Sequence, residues 1–426
     1  MQTLFNEFKE LIDSTPSPHH VKSYLQKRLL KAGFSPLKEN KVWALEPGKK
    51  YIVSRGCTTT CIVMAKKSVK QTKILVSHLD TPALKLRPHP IFFDEGFAFF
   101  RTEVYGGPHL YSWMNRKLQL AGAYWEDSTL EPVLGTVTQN FFLPTCPIHL
   151  DKEANRKPSP IQKHHQLSVF IGEVKEGMDE KTYLNNFFSK HFSINVPLSF
   201  DFYFTVNSSP YFIDDLEQKI AAPRIDNSAS VFASLKAMEQ AQPQEHTILI
   251  STFFHHEEVG SGSYQGAASN LLPSLLSRLL SALNIDTENQ AAITYSSSIL
   301  SLDNAHAFWP LDKSKYDKPN SPILGHGPAL KATSSMRYAT SPAMVALIKK
   351  IAKKANIPLQ FSVPHSDHPA GSTLGPLVAK TSGIPTIDIG LGQCSMHGAE
   401  EMMDLRDLDS LIKLLQSYLA SNEKSA

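Results

Sequence analysis

The chain has 426 residues, 43 of them basic and 40 acidic, for a net charge of +3. This balance gives no electrostatic case for nucleic-acid binding, four cysteines are too few for a disulfide scaffold, and no apolar run is long enough to span a membrane. The length exceeds what one hydrophobic core usually holds, so we expect two domains or one domain with a large insertion.

The N-terminal region predicts two helices followed by short strands. Helices are expected from Gln2 to Gly33, with a break at the serine and proline residues from Ser14 to Pro18. The first of them carries acidic residues in an amphipathic pattern, which is typical of a surface helix and not of a signal peptide. We therefore expect a cytoplasmic protein. Short strands separated by turn residues follow from Val42 to Ala65.

The next strand ends in a His-x-Asp pattern. Lys73 to Ser77 is an apolar run that predicts a buried strand, and His78 and Asp80 come at its end. Because side chains alternate along a strand, the two should face the same side. A histidine ligand with a carboxylate that orients its ring is common in metal sites, although the pattern alone is weak.

The middle of the chain has a different character. From Arg87 to Ile220, aromatic strand-like runs alternate with glycine pairs and proline-containing loops. No long helix is expected to alternate with these strands, so we predict an inserted β-rich domain over 87–220. Residues 1–86 and 221–426 would then form one discontinuous domain. His149 lies in the insertion, and on its own it would be interpreted as a surface histidine.

Two acidic segments follow when the α/β pattern returns. Asp226 precedes a helix predicted from Val231 to Ala241, where a plain carboxylate at the helix N-terminus is the alternative interpretation. Thr247 to Thr252 predicts a buried parallel strand that leads into Glu257 and Glu258. Neighbouring side chains on an extended chain point opposite ways, so one glutamate could bind a metal while the other faces substrate. The alternative for this pair is a solvated acidic turn.

The C-terminal region adds an aspartate and a histidine after further strand-like runs. Asp303 follows a run from Ala292 to Leu302, and His397 lies in the loop after a short strand from Pro385 to Gly390. Helices are predicted in this part of the chain from Leu271 to Leu283, from Ser341 to Ala355 and from Leu408 to Leu419.

The candidate ligands from these separate segments can be considered as one metal-binding set. Two histidines and three carboxylates follow different elements of one α/β pattern: His78, Asp226, Glu258, Asp303 and His397. This set suits two zinc-type ions, with Asp226 as the bridge because it follows a turn and precedes a helix. Two metals roughly 3.5–4 Å apart can activate water and polarise a carbonyl, which leaves Glu257 free to act as general base. A glycosidase with two carboxylates and no metal is the alternative.

These residues resemble the motifs of the aspartyl aminopeptidase family of metallopeptidases. The resemblance runs in order over nearly the whole chain and rests on seven segments: His78 to Pro82, Arg224 to Asn227, His256 to Ser261, Asp303 to Ala307, Gly327 to Lys331, Arg337 to Ala339 and Met396 to Gly398. It implies a phosphorylase/hydrolase-like zinc-peptidase sheet flanked by helices, assembled into a hollow homododecamer. The inserted β-rich domain would serve assembly and access to the active site. The implied activity is removal of acidic residues, Asp or Glu, from peptide N-termini.

The resemblance also implies roles for individual residues. The two histidines and three carboxylates of the set would bind two divalent ions, Zn²⁺ first, with Co²⁺ or Mn²⁺ as alternatives. Glu257 would be the general base, and Asp80 would orient His78. Lys331 and Tyr338 would line the pocket for the acidic side chain, and His149 would reach the active site of a neighbouring subunit. The peptide between Asp226 and Asn227 is expected to be strained and cis.

Some positions depart from the family pattern. Asn115 stands where the family usually has aspartate, Thr81 replaces serine, Asn304 replaces methionine, and Gly398 follows the C-terminal histidine. None of these changes removes a ligand. Three interpretations therefore stay open: an aminopeptidase for acidic N-terminal residues, a same-fold aminopeptidase of broader specificity, and a catalytically silent metal-binding assembly protein. A retained Glu257 argues against the third, because a scaffold needs ligands but no base.

Overall fold

The computed structural model of the chain describes residues 1–157, 159–368 and 371–423. Short 3₁₀ turns occur at Glu257–Val259, Pro310–Lys315 and Lys318–Asn320. The α-helices of the described residues are, in chain order, α1 Gln2–Ser14, α2 Pro18–Lys31, α3 Leu110–Trp113, α4 Glu180–Phe192, α5 Ile225–Gln240, α6 Leu271–Ala282, α7 Thr287–Tyr295, α8 Pro342–Lys354, α9 Leu374–Ser382 and α10 Leu405–Ala420.

The strands of the described residues are β1 Ser35–Pro36, β2 Lys50–Arg55, β3 Thr58–Val63, β4 Gln71–His78, β5 Ala83–Asp94, β6 Phe97–Tyr105, β7 Lys117–Glu126, β8 Thr129–Thr136, β9 Phe141–Phe142, β10 Val169–Glu173, β11 Ser199–Val206, β12 Tyr211–Phe212, β13 Lys219–Ala222, β14 Thr247–Phe254, β15 Ser298–Leu302, β16 Ala305–His306, β17 Ala329–Lys331, β18 Gln360–Ser362, β19 Thr386–Gly390, β20 Gly392–Cys394 and β21 Glu401–Asp404. They form three sheets.

The largest sheet has nine strands in the order β1-β2-β3-β14-β4-β15-β19-β17-β18. Its centre is parallel, because β4 pairs in parallel with both β14 and β15, and β15 pairs in parallel with β19. All residues of these four strands are buried, as expected for a parallel sheet covered on both faces. The predicted parallel strand from Thr247 is confirmed.

Helices cover both faces of this sheet, and alternate strand residues point to opposite cores. On one face, Leu75 and Leu249 pack in a core with residues of α1, α2, α5, α8 and α10. On the other face, Ile74 and Ile250 pack in a core with leucines of α6 and residues of α9. The predicted α/β class is therefore confirmed, with a mixed rather than purely parallel sheet.

The second sheet is antiparallel and takes its strands from Ala83–Val206. Its order is β11-β5-β6-β10-β9-β7-β8, and a further pairing between β11 and β7 joins six of these strands in a ring. Its core is rich in phenylalanine, with Phe100, Phe202 and Phe204 all buried. The ring of strands begins at Ala83, four residues before the predicted start of the insertion at residue 87. The role of the inserted domain in assembly stays a prediction. One long helix in this region, α4, was not expected; its N-cap is Asp179, which accepts a hydrogen bond from the Thr182 N–H.

The third sheet brings together loops from distant parts of the chain. Its order is β12-β13-β21-β20-β16, so strands from the end of the insertion pair with strands from the C-terminal region. Asp226 follows β13, Asp303 lies between β15 and β16, and His397 follows β20. Three of the five predicted ligands therefore lie beside this small sheet.

Most of the predicted helices and strands are confirmed, including the break between α1 and α2, which lies at Thr15–Ser17. The expected strand-like run from Ala292 to Leu302 is wrong in its first half. These residues belong to α7, which begins after Asp286, and Asp286 caps the helix by accepting the Asn289 N–H. The helix runs to Tyr295, and the strand starts at Ser298. None of the helices in the described part of the chain combines the length and the apolar composition needed to cross a membrane.

Candidate metal centre

The predicted ligands meet at the carboxyl ends of the central strands. His78 is the last residue of β4, Glu258 lies in the 3₁₀ turn that follows β14, and Asp303 directly follows β15. Parallel strands end at a common edge of a sheet, which is where open α/β proteins place their sites. Asp226 and His397 reach the same place from the loops beside the third sheet.

The ligand atoms form two groups that share Asp226. In the first group, His78 Nε2 lies 3.6 Å from Asp226 Oδ1 and 3.7 Å from Asp303 Oδ1. In the second group, His397 Nε2 lies 3.3 Å from Asp226 Oδ2 and 3.5 Å from Glu258 Oε2. The two oxygens of Asp226 thus face two different histidines. This is the geometry expected of a carboxylate that bridges two cations.

The residues present fit divalent cations. Within each group, the candidate ligand atoms all lie within 4.8 Å of one another. Asp226 Oδ1 and Glu258 Oε1 are buried and have no hydrogen-bond partner among the residues that the structure describes. A buried carboxylate oxygen without a donor is costly unless a cation faces it. Imidazole nitrogens combined with carboxylate oxygens are the donor set of zinc and related ions.

Main-chain carbonyl groups orient both histidines. His78 Nδ1 lies 3.0 Å from the Asp80 carbonyl oxygen, and His397 Nδ1 lies 3.0 Å from the Gly107 carbonyl oxygen. Each Nδ1–H can therefore donate to its carbonyl, which leaves Nε2 free to bind a metal. For His78 the predicted partner was the Asp80 carboxylate, but that group is 3.8 Å away. The strand ends at His78, so the alternation on which that prediction relied does not extend to Asp80.

The Asp80 carboxylate has a different set of partners. It accepts the main-chain N–H groups of Glu257 and Glu258, each at 3.2 Å, and the Tyr105 hydroxyl at 2.7 Å. Burial disfavours its charge, yet His255, His78 and the Tyr105 hydroxyl hold the pKa of Asp80 below the usual range. Asp80 therefore fixes the turn that carries both glutamates, and Tyr105 links that turn to the second sheet.

The two adjacent glutamates differ in their surroundings, although they lie in a 3₁₀ turn and not on the extended chain that the prediction assumed. The Glu258 side chain is 3% exposed and faces His397, whereas the Glu257 side chain is 18% exposed and lines an open cavity. Glu257 Oε2 lies 3.9 Å from His78 Nε2. Burial raises the pKa of Glu257 to about 7, so its carboxylate can hold a proton near neutral pH.

The segment around Asp226 is tied to its neighbours on both sides. The peptide between Asp226 and Asn227 is cis, as the family resemblance implied. Asn227 donates through its side-chain amide to the Leu302 carbonyl at 2.8 Å. The Asp226 N–H donates to Glu401 Oε2 at 2.9 Å, and the His397 N–H donates to Glu401 Oε1 at 2.6 Å. Glu401 was not predicted from the sequence.

A cavity of about 210 Å³ opens beside the first group. Lys331 and Tyr338 line it, as predicted, and so does His306, which the sequence analysis did not single out although it lies three residues after Asp303. The Lys331 ammonium donates to three acceptors: Asp303 Oδ2 at 3.2 Å, the Asp303 carbonyl at 3.3 Å and the Asn304 carbonyl at 2.8 Å. It also lies 4.9 Å from the centre of the Tyr338 ring. Lys331 therefore supports a predicted ligand in addition to facing the cavity.

His149 does not lie among the residues that line this cavity. It is exposed, between Ile148 and Leu150, which are also exposed. The loop before it is held by Asn115, which donates to the Thr145 hydroxyl at 2.9 Å and accepts the Thr145 N–H at 3.1 Å. An aspartate could accept both the Thr145 N–H and the Thr145 hydroxyl, so these two bonds do not explain the asparagine at this position.

Comparison with known proteins agrees with this geometry. The family described as Aminopeptidase I zinc metalloprotease (M18) matches residues 11–419. A probable M18 family aminopeptidase 2 of Stutzerimonas stutzeri (strain A1501) is 32% identical over 424 residues, which cover 97% of each chain. A chain from the cryo-EM structure of the Ape4 and Nbr1 complex has a TM-score of 0.92 and 28% identity, and the match covers 98% of this chain and 85% of that one.

A chain of the S. cerevisiae mApe1 dodecamer has a TM-score of 0.82 and 22% identity, covering 97% of this chain and 95% of that one, a likeness of fold. The α/β sheet, the paired ligand groups and these matches define the class, which is that of the zinc metallopeptidases. Within that class, the chain belongs to the M18 family of aminopeptidases.

Proposed function

We propose that this chain is a two-metal aminopeptidase that removes acidic residues from peptide N-termini. The observation that carries the proposal is the position of Asp226, whose two oxygens face His78 and His397 in separate ligand groups. One shared carboxylate between two groups is what a pair of ions requires. The first group would take its ligands from His78, Asp226 and Asp303, and the second from Asp226, Glu258 and His397.

The chain's own residues account for the proton movements of peptide hydrolysis. When bound, two divalent ions lower the pKa of water and polarise the scissile carbonyl. The Glu257 carboxylate accepts the proton of the attacking water and donates it to the nitrogen of the departing amine. Asp80 supports this role because it accepts the main-chain N–H of Glu257 and so fixes the turn from which the side chain projects.

The cavity beside the first group would take the side chain of the N-terminal residue. Its volume of about 210 Å³ suits one amino-acid side chain with its backbone. The acidic preference rests on the family resemblance and on Lys331 and Tyr338, a buried ammonium group and a phenol beside the cavity. His306 also lines the cavity and can donate to a carboxylate.

Self-assembly is part of the same proposal. A protein of the same fold, S. cerevisiae mApe1, forms a dodecamer. In this chain, Ile148 is 46% and Leu150 is 79% exposed on either side of His149. Exposed apolar residues that flank a histidine on one loop support a contact with a neighbouring subunit. We propose a homo-oligomer in which His149 reaches the active site of the adjacent chain.

One experiment separates the open interpretations. Purified protein is analysed for bound metal and then assayed on aspartyl, glutamyl, leucyl and lysyl p-nitroanilides. Two metals per chain with kcat/KM highest on the acidic substrates is the expected result. Two metals with similar kcat/KM on all four substrates would favour broad specificity. Two metals without turnover of any aminoacyl substrate would favour a silent assembly protein.

A further inference from the structure

Glu401 is a buried carboxylate whose two oxygens bind the main chain of two predicted ligands. The residue is 2% exposed. Its Oε1 accepts the His397 N–H at 2.6 Å, and its Oε2 accepts the Asp226 N–H at 2.9 Å. Each oxygen therefore holds one ligand residue by its backbone and leaves the ligand's side chain free.

The fold explains why these two loops meet at Glu401. Glu401 opens β21 and pairs with Ala222 at the end of β13, four residues before Asp226. His397 lies in the turn between β20 and β21. The carboxylate thus lies between two chain segments that the third sheet brings side by side, and it connects them at the two ligand residues.

We propose that Glu401 is a positioning residue for one of the two ions, the one bound by Asp226, Glu258 and His397. This inference rests on the proposed function, because it assumes that both ligand groups bind metal. Two of these three ligands have their main chain fixed by Glu401, whereas His78 and Asp303 have no hydrogen bond to it among the described contacts. Loss of Glu401 should therefore affect this ion more than the other.

The role requires a carboxylate and not merely a polar group of the same shape. In Glu401→Gln, the amide oxygen can accept only one of the two N–H groups, and the amide nitrogen is a donor that would face the other N–H. Whichever way the amide turns, either Asp226 or His397 loses its partner. Both residues belong to the group of Asp226, Glu258 and His397, whereas the other group contains only Asp226 of the two. Partners of metal ligands typically change metal affinity by about 10- to 100-fold when they are mutated.

A matched control exists in the same chain. Asp407 is 1% exposed, and its two oxygens accept the N–H groups of Gly325 at 2.7 Å and Gly327 at 2.6 Å. Neither glycine lines the cavity beside the ligands. Asp407→Asn therefore removes the same kind of buried, doubly bonded carboxylate without touching a ligand residue.

The test measures zinc binding by metal-stripped protein in buffers of defined free Zn²⁺, with thermal unfolding as a check on the fold. Wild-type protein should bind two ions. Glu401→Gln should bind one of them about 10- to 100-fold more weakly and the other within about threefold of wild type, while Asp407→Asn retains both affinities. Glu258→Gln and Asp303→Asn assign the two affinities, because each removes a carboxylate from one group only.

Three outcomes would refute either the positioning role of Glu401 or the two-metal proposal. If Glu401→Gln binds both ions as tightly as wild type, or if Glu401→Gln and Asp407→Asn weaken both ions equally, the positioning role of Glu401 is refuted. If wild-type protein itself binds fewer than two ions, the two-metal proposal fails instead. If Glu401→Gln does not fold, Glu401→Asp is measured in its place, because aspartate keeps the charge but is too short to reach both N–H groups.

Discussion

Replacement of Lys331 by methionine tests whether Lys331 recognises an acidic substrate side chain in the cavity. Lys331 is 4% exposed and donates to Asp303 Oδ2 at 3.2 Å and to the carbonyls of Asp303 and Asn304. Breaking a buried charge pair by removing one partner costs about 3–5 kcal/mol of unfolding free energy. The variant should therefore be less stable and should hydrolyse every substrate more slowly, because Asp303 loses its partner.

Hydrolysis of acidic substrates should fall further, beyond the fall expected for every substrate. A substrate carboxylate in the cavity would lose a charged donor, and a hydrogen bond to a charged group contributes about 1.5–3 kcal/mol. That range corresponds to about a 10- to 150-fold greater fall in kcat/KM on aspartyl and glutamyl substrates than on a leucyl substrate. The assay compares these three substrates at equal metal occupancy.

Lys73 provides the matched control for this experiment. It is 2% exposed, its ammonium donates to the Tyr418 carbonyl at 2.7 Å and to Ser421, and it lies 5.0 Å from the Tyr418 ring centre. Lys73→Met should lower stability but leave the ratio of acidic to neutral kcat/KM unchanged. If Lys331→Met also leaves the ratio of acidic to neutral kcat/KM unchanged, Lys331 only supports Asp303. The proposal that Lys331 recognises acidic side chains would then be wrong.

Three further predictions concern the ions and the base. Glu257→Gln should keep both metals but lose about 10²- to 10⁴-fold in kcat, and near-normal turnover with full metal content would exclude Glu257 as the base. Asp226→Ala should bind at most one ion and lose activity, since the two oxygens of Asp226 face the two histidines of the two groups; elemental analysis showing two ions would contradict this. Removal of metal with a chelator should abolish hydrolysis, and Zn²⁺, Co²⁺ or Mn²⁺ should restore it to different extents; hydrolysis that survives metal removal would count against the mechanism.

Much of the site could be predicted because its chemistry follows strand ends. Apolar, β-branched runs that end in His78, Glu257 or Asp303 carry a local signal of a buried strand followed by a polar residue. Their convergence then follows from the geometry of parallel strands. The position of Asp226 was also predictable, because a carboxylate that follows a turn can present both oxygens, and here they face His78 and His397.

Residues that hold the ligands in place, such as Glu401, could not be predicted from the sequence, and the reason is physical. Glu400 and Glu401 are adjacent and chemically identical, and only tertiary structure separates them. Glu401 is buried against Asp226, whereas Glu400 accepts hydrogen bonds from Ser208 and Tyr211 near the surface. Asp80 differs from its prediction in one respect: it contacts His78 through its carbonyl oxygen and not through its carboxylate, because β4 ends at His78 and the strand alternation stops there.

The spread of the ligands along the chain has a consequence for biosynthesis. His78 and His397 lie near opposite ends of the chain, yet both face Asp226. A chain emerging from the ribosome folds its earlier segments first, and contacts between distant segments form late. The second ligand group cannot exist until the segment that contains His397 has been made and β21 has paired with β13. By the proposed mechanism, peptide hydrolysis is therefore withheld from the growing chain, and a translation product truncated before that segment would not hydrolyse peptides.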